Sequence, residues 1–569
     1  MARVLGISCG YHDAAAALVV DGVIVSAIQE ERLSGVKNDA SIPVRAAEAC
    51  LSIGNLKAAD LDAIAYYENP YAKLERTLVS LFAAFPRSLP HVGHALRSQL
   101  GEKLWVLDRI ASALGVPRKR VEPGDHHRSH AASAYFTSPY EDAAVLTVDG
   151  VGEWTTTSIH HGQSDQLTCI QSLSFPHSIG LLYAAITAYL GFEVNEGEYK
   201  VMGLAAYGKP RYRAEFEKLI RLFPDGNLEL SPDYFADFLD AHLAFAKPLE
   251  ALLGPRRAFG KPWELQNEPD QRYADIAATL QSITEEALLG LAKHARLTTS
   301  SNALCLAGGV ALNAVANARL AKESGFEHVS VHPAAGDAGG ALGAAILRAM
   351  ELGDKRPSPL EHAALGITIM ASDVERIAKP LGLRCTRMRD PAREVARRLA
   401  NEDVIAFATG RNEWGPRALG QRSILASAKH AAMREKLNRA IKQREPFRPF
   451  APVVREADLP LHFADAPRAL TRFMTTVTQV NTPTDWQAVT HVDGSARVQT
   501  VSRTDTLSEL LDAYAKETGS SVLVNTSMNG AGDPIATTAA SVLSFFLRHR
   551  VDALAVDDLL IERPEREVP

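Results

Sequence analysis

A pattern of three apolar strands joined by tight turns occurs twice in the first third of the chain, and it limits the possible folds more than any other feature. The first copy, from Arg3 to Ile28, reads VLGIS, AAAALVV and VIVSAIQ, with the pair Asp21-Gly22 before the last strand. An Asp-Gly pair between apolar runs is typical of a β-hairpin. The second copy begins at Ala143 and reads AAVLTVDG, WTTTSIHHG and LTCIQSLSF. Because helical sequence follows each copy, the pattern predicts two related half-domains.

Two such meanders followed by helices are the layout of the actin and sugar-kinase ATPases, in which nucleotide binds between the halves. The sequence also predicts a long helix from Gln271 to Leu297. A strand, a turn at Gly308-Gly309 and a helix come next, and the segment HVSVHPAAGDAGGALGAAILRAM repeats that order. We therefore predict an α/β protein whose N-terminal domain is a duplicated actin/sugar-kinase-like (ASKHA) domain.

The chain length and one polar segment predict a second domain. The 569 residues are too many for one ordinary core. The segment Glu351 to Glu361 is polar and contains two prolines, so we predict domains at residues 1–355 and 356–569. The second domain should contain a helix from Pro391 to Asn401, the strands VIAFATG, FMTTVTQV and SVLVNTS, and the helix TTAASVLSFFLRHR. This is a mixed α/β pattern.

The composition is typical of a soluble enzyme. Hydrophobic residues make up 46% and charged residues 22%, and the net charge of -6 argues against a dedicated nucleic-acid-binding protein. The five cysteines form no CxxC pair, which argues against a disulfide framework or a cysteine zinc site and favours a reducing cytoplasm. The start, MARVLGISCG, reads as a first strand rather than a signal peptide. No apolar run is long enough to predict a membrane span.

Two histidines in the segment DHHRSHAASAYF form the first chemical motif. His126 and His130 are four residues apart, so a helix would place both imidazoles on one face, where they can chelate a divalent metal. For this spacing alone, surface or core histidines are the alternative interpretation. Asp149 ends an apolar strand and Asp337 lies in a Gly-rich loop, and both add carboxylates. Two histidines with carboxylates suit Fe(II), and also Mn(II) or Zn(II). No HExxH is present, so a zincin protease would lack its general base.

The turn Ala307-Gly308-Gly309 before a helix is the second motif. Glycine lets the backbone approach a nucleotide, and a helix N-terminus favours phosphate. A tight packing turn is the alternative. Asn313 and Asn317 of the following helix either contact ribose or base, or are solvated.

Basic residues near Gly and Pro turns form the third motif. They lie in NEWGPRALGQRSILA and NRAIKQREPFRPFAP and are Arg417, Arg422, Lys442, Arg444 and Arg448. A charge run is usually a solvated face, but apolar neighbours such as Phe447 and Phe450 indicate that some of these cations are buried. A buried arginine needs an anion, and its planar fork suits phosphate. The loop VNTSMNGAGDPI adds the polar residues Asn525, Thr526, Ser527 and Asn529, unless it is an ordinary turn.

Eight segments in this order resemble the NodU/CmcH O-carbamoyltransferases, the group that includes the tobramycin carbamoyltransferase. The segments are GYHDAAAAL, EERLSGVK, DHHRSHAASAYF, YKVMGLAAYG, CLAGGVALN, GDAGGALGAA, GPRALGQRS and REPFRPFAP. The similarity extends from about Arg3 to about Glu562. One segment would be weak evidence, but eight in order are highly specific.

The resemblance implies two catalytic domains and a set of site residues. The N-terminal domain would resemble the metal-bearing protein of tRNA threonylcarbamoyladenosine synthesis, and the C-terminal domain its YrdC-like partner, which forms the carbamoyl-adenylate. The implied metal ligands are His126, His130, Asp149 and Asp337, and the implied nucleotide contacts in the first domain are Lys37, Gly308, Gly309 and Asn313. The implied contacts for carbamoyl phosphate and ATP in the second domain are Arg417, Lys442, Arg448 and the loop from Asn525 to Ser527. The implied cofactors and co-substrates are ATP, carbamoyl phosphate, Mg²⁺, and Fe(II) or another divalent metal.

The mechanism that the resemblance implies has two steps. Carbamoyl phosphate and ATP would form carbamoyl-adenylate and pyrophosphate in the second domain, and the first domain would transfer the carbamoyl group to a small-molecule hydroxyl, releasing AMP. His12 is the candidate general base, with substrate positioning as its alternative role. In EERLSGVKND, Leu33 and Gly35 replace the aromatic and basic residues that the family more often has, while Lys37 remains.

Two other classes of function stay open at this point: a phosphotransferase of the sugar-kinase type, and a non-catalytic assembly factor related to the tRNA-modification proteins. The acceptor could be an antibiotic, a sugar or another secondary metabolite. We expect neither a nucleic-acid nor a membrane partner, and the oligomeric state, including a homodimer, stays open.

Overall fold

The computed structural model of the protein describes residues 2–86, 88–235, 245–445, 447–464 and 467–564. The chain folds into two compact units. The first unit comprises Met1–Ser26 and Ala40–Leu360, and the second comprises Ala27–Asp39 and Glu361–Pro569. This division differs from the predicted one in two respects: the boundary follows residue 360, and a short N-terminal segment, residues 27–39, packs with the second unit.

The strands of the first unit form two main sheets. They are β1 Arg3–Ser8, β2 Ala15–Val20, β3 Val23–Gln29 (which ends beyond the unit boundary), β4 Ala63–Tyr66, β5 Val121–Pro123, β6 Asp142–Val148, β7 Thr155–Gln163, β8 Gln166–Ser174, β9 Ile220–Leu222, β10 Leu228–Leu230, β11 Ala303–Ala307 and β12 His328–Val331.

The two sheets have the same topology. One has the order β3-β2-β1-β4-β5, and the other has the order β8-β7-β6-β11-β12. In each sheet the first strand, β1 or β6, pairs antiparallel with the next strand of its meander and parallel with a later strand, β4 or β11. The duplicated half-domain that the sequence predicts is therefore confirmed, and this repeated topology is that of the actin and sugar-kinase fold.

Thirteen α-helices occur among the described residues up to residue 360. They are α1 Glu31–Ser34 (in the segment that packs with the second unit), α2 Val44–Ile53, α3 Pro70–Ala83, α4 Leu89–Ser98, α5 Val106–Ala113, α6 His126–Phe136, α7 Ile179–Tyr189, α8 Glu198–Ala205, α9 Arg213–Leu219, α10 Lys247–Leu253, α11 Glu268–Thr299, α12 Ala314–Glu323 and α13 Asp337–Glu351. The 32-residue helix α11 is the long helix that the sequence predicts.

Helix α13 makes close backbone contacts because its sequence is rich in Ala and Gly. A Cβ on Gly343 would lie 1.8 Å from the backbone oxygen of Ser129 in α6. On the β1 side, a Cβ on Gly6 would lie 1.8 Å from the backbone oxygen of Ala341. Glycine at these crossings lets α13 pack directly on α6 and β1, which positions the residues at the start of α13.

The second unit is mixed α/β, as predicted. Its strands are β13 Ala364–Thr368, β14 Arg384–Arg387, β15 Ile405–Ala408, β16 Arg411–Glu413, β17 Arg422–Ser427, β18 Ala451–Arg455, β19 Thr478–Gln479, β20 Ser495–Ala496, β21 Gln499–Val501, β22 Leu523–Ser527, β23 Ala553–Val556 and β24 Leu559–Glu562. Its helices are α14 Ala371–Ala378, α15 Pro391–Ala400, α16 Ala431–Leu437, α17 Leu459–His462, α18 Arg468–Thr471, α19 Ser508–Thr518 and α20 Ala539–Arg548.

The main sheet of this unit has the order β14-β24-β23-β15-β17-β22-β18-β21, with an apolar core on each face. Ala406 and Ile424 belong to one core, while their neighbours Ile405 and Leu425 belong to the other, as the two-residue period of a strand requires.

One predicted strand is wrong. The segment FMTTVTQV forms a strand only at Thr478–Gln479. Met474 adopts a left-handed backbone conformation with φ 56°, which an extended strand cannot accommodate. The β-branched residues of the segment predict a strand, but the local backbone turns instead. Among the described residues, no helix is both long and apolar enough to cross a bilayer.

Candidate functional site

Helix α6 brings the two predicted metal-binding histidines together. Asp125 caps the helix by accepting a hydrogen bond from the Arg128 N–H, so the helix begins at His126. The i, i+4 spacing stacks the imidazoles of His126 and His130, and their Nε2 atoms lie 3.2 Å apart. Both side chains are buried. The predicted shared face of the two histidines is therefore present.

Two carboxylates converge on these nitrogens from other elements. Asp149 directly follows β6, and its Oδ2 lies 2.8 Å from His126 Nε2. Asp337 is the first residue of α13, and its Oδ1 lies 3.4 Å from His130 Nε2. One ligand atom from each of the four residues fits within a 4.8 Å span. We call these four residues the His/Asp cluster.

The chemistry of the cluster fits a divalent cation. Two imidazoles and two carboxylates form a mixed N/O donor set that suits Fe(II), Mn(II) or Zn(II). Burial by itself lowers the pKa of His126, but the hydrogen bond to Asp149 and the nearby carboxylates raise it well above its usual value. Burial alone raises the pKa of Asp149, but its contacts with the two histidines hold it well below its usual value. Four ionisable groups so close together in a buried space are what a bound cation would stabilise.

His12 borders the same cluster. Its Nε2 lies 3.9 Å from Asp337 Oδ2, and its Nδ1 lies 3.1 Å from Asp13 Oδ2. Burial alone lowers the pKa of His12, but Asp337, Asp13 and Asp149 raise it to about 9. The titratable side chain of His12 therefore lies next to the His/Asp cluster, where the predicted general base would have to be.

The glycine turn also contacts the cluster. Gly308 has a φ of +88°, and a Cβ there would lie 2.2 Å from the Val148 backbone oxygen, so this turn requires glycine. The Gly309 N–H donates to Asp149 Oδ1 at 3.1 Å. Asn313 is the N-cap of α12 and exchanges two amide hydrogen bonds with Gln281. Asn317 is buried and donates to the backbone oxygen of Ala311 rather than being solvated. That Gly308, Gly309 and Asn313 contact nucleotide stays a prediction.

Lys37 lies in the segment that packs with the second unit. Its Nζ forms a 2.8 Å ion pair with Glu31 Oε2. The predicted nucleotide contact of Lys37 stays a prediction.

In the second unit, Lys442 is held by the predicted polar loop. Its buried Nζ donates to the Ser527 Oγ at 3.2 Å, and to the Asn529 Oδ1 at 2.9 Å and backbone oxygen at 3.0 Å. Burial and the neighbouring charges of Arg444 and Arg448 hold the pKa of Lys442 well below its usual value. The ammonium is thus fixed at the end of β22 in a strongly positive environment.

Other cations surround this lysine, including one that the sequence analysis did not identify. Burial and the charges of Arg417, Arg444 and Arg448 hold the pKa of Arg497 well below its usual value, so these guanidinium groups lie close enough to repel one another. The Arg497 Nε is buried and has no hydrogen-bond partner among the described residues. Arg448 pairs with Glu445 at 3.5 Å. We call Arg417, Lys442, Arg444, Arg448 and Arg497 the cationic pocket. Lys442 is buried and the four arginines are partly buried, and positive charge concentrated in this way favours an anionic ligand such as phosphate.

Nothing in the sequence around Arg497 indicated this role. It lies alone between the short strands β20 and β21, outside every motif. Only the packing of the second unit brings it next to residues that are distant in sequence.

Two residues of the basic and polar motifs are hydrogen-bonded within the second unit. Arg422 is fully buried, and its five N–H donors all go to backbone oxygens at 2.8–3.4 Å, those of Thr409, Gln421, Gly410, Thr537 and Ile367. It has no donor left for an anion, so its grouping with the phosphate-binding cations was wrong. Asn525 is also buried, and its Nδ2 donates to Ala418 and Gln499. Its predicted contact with ATP or carbamoyl phosphate stays a prediction.

Comparison with protein families gives matches over both units. The family model described as carbamoyltransferase N-terminus matches residues 3–346, and the model described as carbamoyltransferase C-terminus matches residues 396–563.

Several curated proteins resemble the chain over most of its length. An uncharacterized protein of Synechocystis is 39% identical, with 100% of this chain and 98% of that protein covered. The nodulation protein NolNO of Sinorhizobium fredii is 35% identical over 97% of this chain and 79% of its own length. Nodulation protein U of the same organism is 30% identical over 99% of both chains.

Solved structures are more distant. Component A of the (R)-2-hydroxyglutaryl-CoA dehydratase of Acidaminococcus fermentans aligns with 61% of this chain and 97% of its own, at 16% identity and a TM-score of 0.34. HypF of T. kodakarensis aligns with 62% of this chain and 48% of its own, at 15% identity and a TM-score of 0.32. These likenesses are too weak to add to the assignment of the fold, which follows from the sheet topology.

Proposed function

The chain belongs to the carbamoyltransferase family, of the NodU type, and on that premise we propose that it is an ATP-dependent O-carbamoyltransferase acting on a small-molecule hydroxyl. It would form carbamoyl-adenylate from carbamoyl phosphate and ATP and then transfer the carbamoyl group to the acceptor. The observation that carries the proposal is the presence of two chemically different sites: the cationic pocket in one unit and the His/Asp cluster in the other.

The cationic pocket suits the first step. Water cleaves carbamoyl phosphate to carbamate and phosphate, and a carbamate oxygen then attacks the α-phosphorus of ATP, with pyrophosphate as the leaving group. Arg417, Arg448 and Lys442 would bind the phosphates and offset the charge that develops on them. Lys442 Nζ donates to Ser527 and Asn529, so a phosphate oxygen that binds there would replace at least one of these hydrogen bonds.

The His/Asp cluster suits the second step. His126, His130, Asp149 and Asp337 would hold a divalent cation, which would supply Lewis-acid chemistry at the phosphate of the adenylate. The Gly308-Gly309 turn has no side chains, so it would let that phosphate approach the backbone closely. The acceptor oxygen attacks the carbamoyl carbon, the bond to the AMP oxygen breaks, and AMP leaves.

His12 is the residue we assign to the acceptor proton. Burial lowers the pKa of His12, but the surrounding carboxylates raise it to about 9, which would keep the imidazole protonated at neutral pH. A divalent cation at Asp149 and Asp337 would offset their negative charges and so lower the pKa of His12. A lower pKa favours the neutral imidazole that a general base requires.

The acceptor is a small-molecule alcohol, such as an antibiotic, a sugar or another secondary metabolite, rather than a nucleic acid. A phosphotransferase of the sugar-kinase type would need the first unit alone, and it leaves the cationic pocket of the second unit without a role.

The test is product analysis with purified protein. Pyrophosphate should form only when ATP and carbamoyl phosphate are both present, and it should form without acceptor. Arg417→Ala and Arg448→Ala should each slow its formation by about ten- to a hundred-fold, because each removes a charge-assisted phosphate contact.

Arg376→Ala is the matched control in the same unit. Arg376 is exposed and pairs with Asp373 on the surface, so its loss should leave pyrophosphate formation unchanged. Release of ADP independent of carbamoyl phosphate would instead support the kinase alternative. Parent-like rates in both pocket variants would refute the role of the pocket.

A further inference from the structure

The residues at and just after the end of β4 lie next to the His/Asp cluster. They are Tyr66, Tyr67 and Glu68, and all three are buried. No motif in the sequence distinguished this segment, and the reaction outlined above gives it no role. It nevertheless contacts two of the four cluster residues through side chains.

Glu68 is a buried carboxylate whose position is fixed by two donors. The Tyr66 hydroxyl donates to its Oε1 at 2.9 Å. Lys73 Nζ donates to Oε1 at 2.9 Å and to Oε2 at 2.8 Å. Lys73 neutralises the charge, and the two contacts together restrict the carboxylate to one orientation.

That orientation directs Glu68 at the outer nitrogen of a predicted metal ligand. Glu68 Oε2 lies 3.7 Å from His126 Nδ1. Nδ1 is buried and has no hydrogen-bond partner within the part of the chain that the structure describes. The opposite nitrogen, Nε2, faces Asp149 and His130. Because Nε2 must carry the free lone pair to bind a cation, the proton belongs on Nδ1, where Glu68 is the nearby acceptor.

Tyr67 holds a second ligand in a similar way. Its hydroxyl donates to Asp337 Oδ2 at 3.2 Å, and Oδ1 of the same carboxylate faces His130. The Tyr67 ring also packs against the His126 ring, with centroids 5.1 Å apart.

We propose that Glu68 and Tyr67 are positioning residues of the metal site. Glu68 fixes His126 in the Nδ1–H tautomer, and Tyr67 turns Asp337 so that Oδ1 points into the cluster. This inference rests on the metal site of the proposed function. According to this inference, residues just after β4 orient two metal ligands, His126 of α6 and Asp337 of α13, before a cation binds.

The test is metal affinity rather than turnover. Metal-free protein is titrated with Zn²⁺ against a chromophoric chelator, and the competition yields the dissociation constant. Glu68→Gln and Tyr67→Phe nearly conserve volume. In Glu68→Gln the amide oxygen would stay at the Oε1 position, where Tyr66 and Lys73 donate, so the NH2 group would face His126 Nδ1 instead of an acceptor. Each variant should weaken Zn²⁺ binding by about ten- to a hundred-fold, as for other outer partners of metal ligands.

Glu153→Gln is the matched control. Glu153 is a buried carboxylate beside the same histidine, but among the described residues it accepts from the backbone N–H groups of Asn69 and His126 and from no side chain. A Gln oxygen can still accept these bonds, so the affinity for Zn²⁺ should stay within about twofold of the parent value. A loss equal to that of Glu68→Gln would show that any buried carboxylate near α6 matters, and would overturn the specific role of Glu68.

Glu68→Asp keeps the charge and the Lys73 partner but moves the carboxylate away from Nδ1 by one methylene. Its affinity should lie between those of the parent and Glu68→Gln. Should Glu68→Gln fail to fold, as judged by circular dichroism, parent-like affinity in Glu68→Asp overturns the role of Glu68. Parent-like affinity in folded Tyr67→Phe overturns the role of Tyr67.

A failure of the underlying metal site gives a different result. If the parent protein binds no Zn²⁺, Mn²⁺ or Fe²⁺, or if His126→Ala binds them as the parent does, the His/Asp cluster is not a metal site and this inference falls with it. If the parent binds and His126→Ala does not, while Glu68→Gln is unchanged, only the role of Glu68 is refuted.

Discussion

At the scale of single residues, the same side chain has different chemistry in different surroundings. His126 and His127 are adjacent in α6, yet the carboxylates near His126 raise its pKa well above the usual value, whereas burial lowers that of His127 far below it. Arg422 and Arg497 differ in the same sense: backbone oxygens use the donors of Arg422, while a buried Nε of Arg497 has no partner among the described residues. Residue type therefore indicates what a position can do, and its neighbours decide which of these roles it has.

The first prediction at this scale concerns His12. We expect His12→Ala to keep bound metal, because the side chain is not one of the four cluster ligands. Transfer from supplied carbamoyl-adenylate should slow by about a hundred- to ten-thousand-fold if His12 takes the acceptor proton. Metal content and carbamoylated product are measured on the same sample. Transfer at the parent rate would place the base elsewhere.

A second prediction concerns acid stability. Burial in β7 lowers the pKa of His160 from 6.5 to about 4. An unfolded chain takes up this proton near pH 6.5 and the folded chain only near pH 4, so the contribution is complete above pH 6.5 and is lost as the pH falls towards 4. In His160→Gln the melting temperature should therefore fall less between pH 7.5 and pH 5 than in the parent. Parallel pH profiles of the two proteins would contradict this assignment.

At the scale of elements, the site depends on how closely helices cross. Helix α6 carries two histidines of the cluster, and α13 begins with Asp337. The distance between α6 and α13 depends on the contact between Gly343 and the backbone of Ser129. A strand end completes the set, since Asp149 follows β6. The cluster is thus assembled from three elements, and only the pair of histidines shares one of them.

We expect Gly343→Ala to lower both the melting temperature and the affinity for a divalent metal. The added Cβ would lie 1.8 Å from the Ser129 backbone oxygen, so α6 and α13 must move apart. Overpacking of this kind costs about 1–3 kcal/mol. Calorimetry and chelator competition measure the two effects.

Gly93→Ala in α4 is the control, because a Cβ there meets no atom of the described residues within 4 Å. It should leave both quantities unchanged or raise the stability slightly, as alanine favours a helix. Equal losses in the two variants would mean that the close crossing is not what matters.

At the scale of the whole molecule, the two candidate sites lie in different compact units. The His/Asp cluster lies in the first unit and the cationic pocket in the second. Each unit has its own apolar core, and the second has one on each face of its main sheet. The half-reactions should therefore be separable by mutation within the intact chain.

The corresponding prediction compares His126→Ala and Arg448→Ala in two assays, pyrophosphate release and carbamoyl transfer. His126→Ala should lose metal and transfer but keep most pyrophosphate release, because the cationic pocket supplies its own phosphate ligands. Arg448→Ala should lose pyrophosphate release but still carbamoylate the acceptor from supplied carbamoyl-adenylate. If His126→Ala carbamoylates acceptor from supplied adenylate, the metal assignment is wrong. If Arg448→Ala cannot use supplied adenylate, the two steps are not divided as proposed.

Local patterns in the sequence determined much of the architecture. Strand periodicity and the Asp-Gly turn predicted both meanders, because alternation and turn chemistry are properties of adjacent residues. The spacing of His126 and His130 predicted their shared face for the same reason, since a helix converts i, i+4 into contact. The ordered motifs of the chain predicted its family, which the matches over both units show.

Only the tertiary structure decided which distant residues meet. Glu68, Tyr67 and Arg497 carry no local signal, and they matter because a strand end or a short loop brings them to groups far away in sequence. Arg422 looked like an anion ligand until its donors were found on backbone oxygens. Residues 27–39 pack with the second unit although the chain on both sides belongs to the first. Each of these outcomes depends on contacts between elements that are distant in sequence. Such contacts follow from the packing of the whole core, so no short stretch of neighbouring residues predicts them.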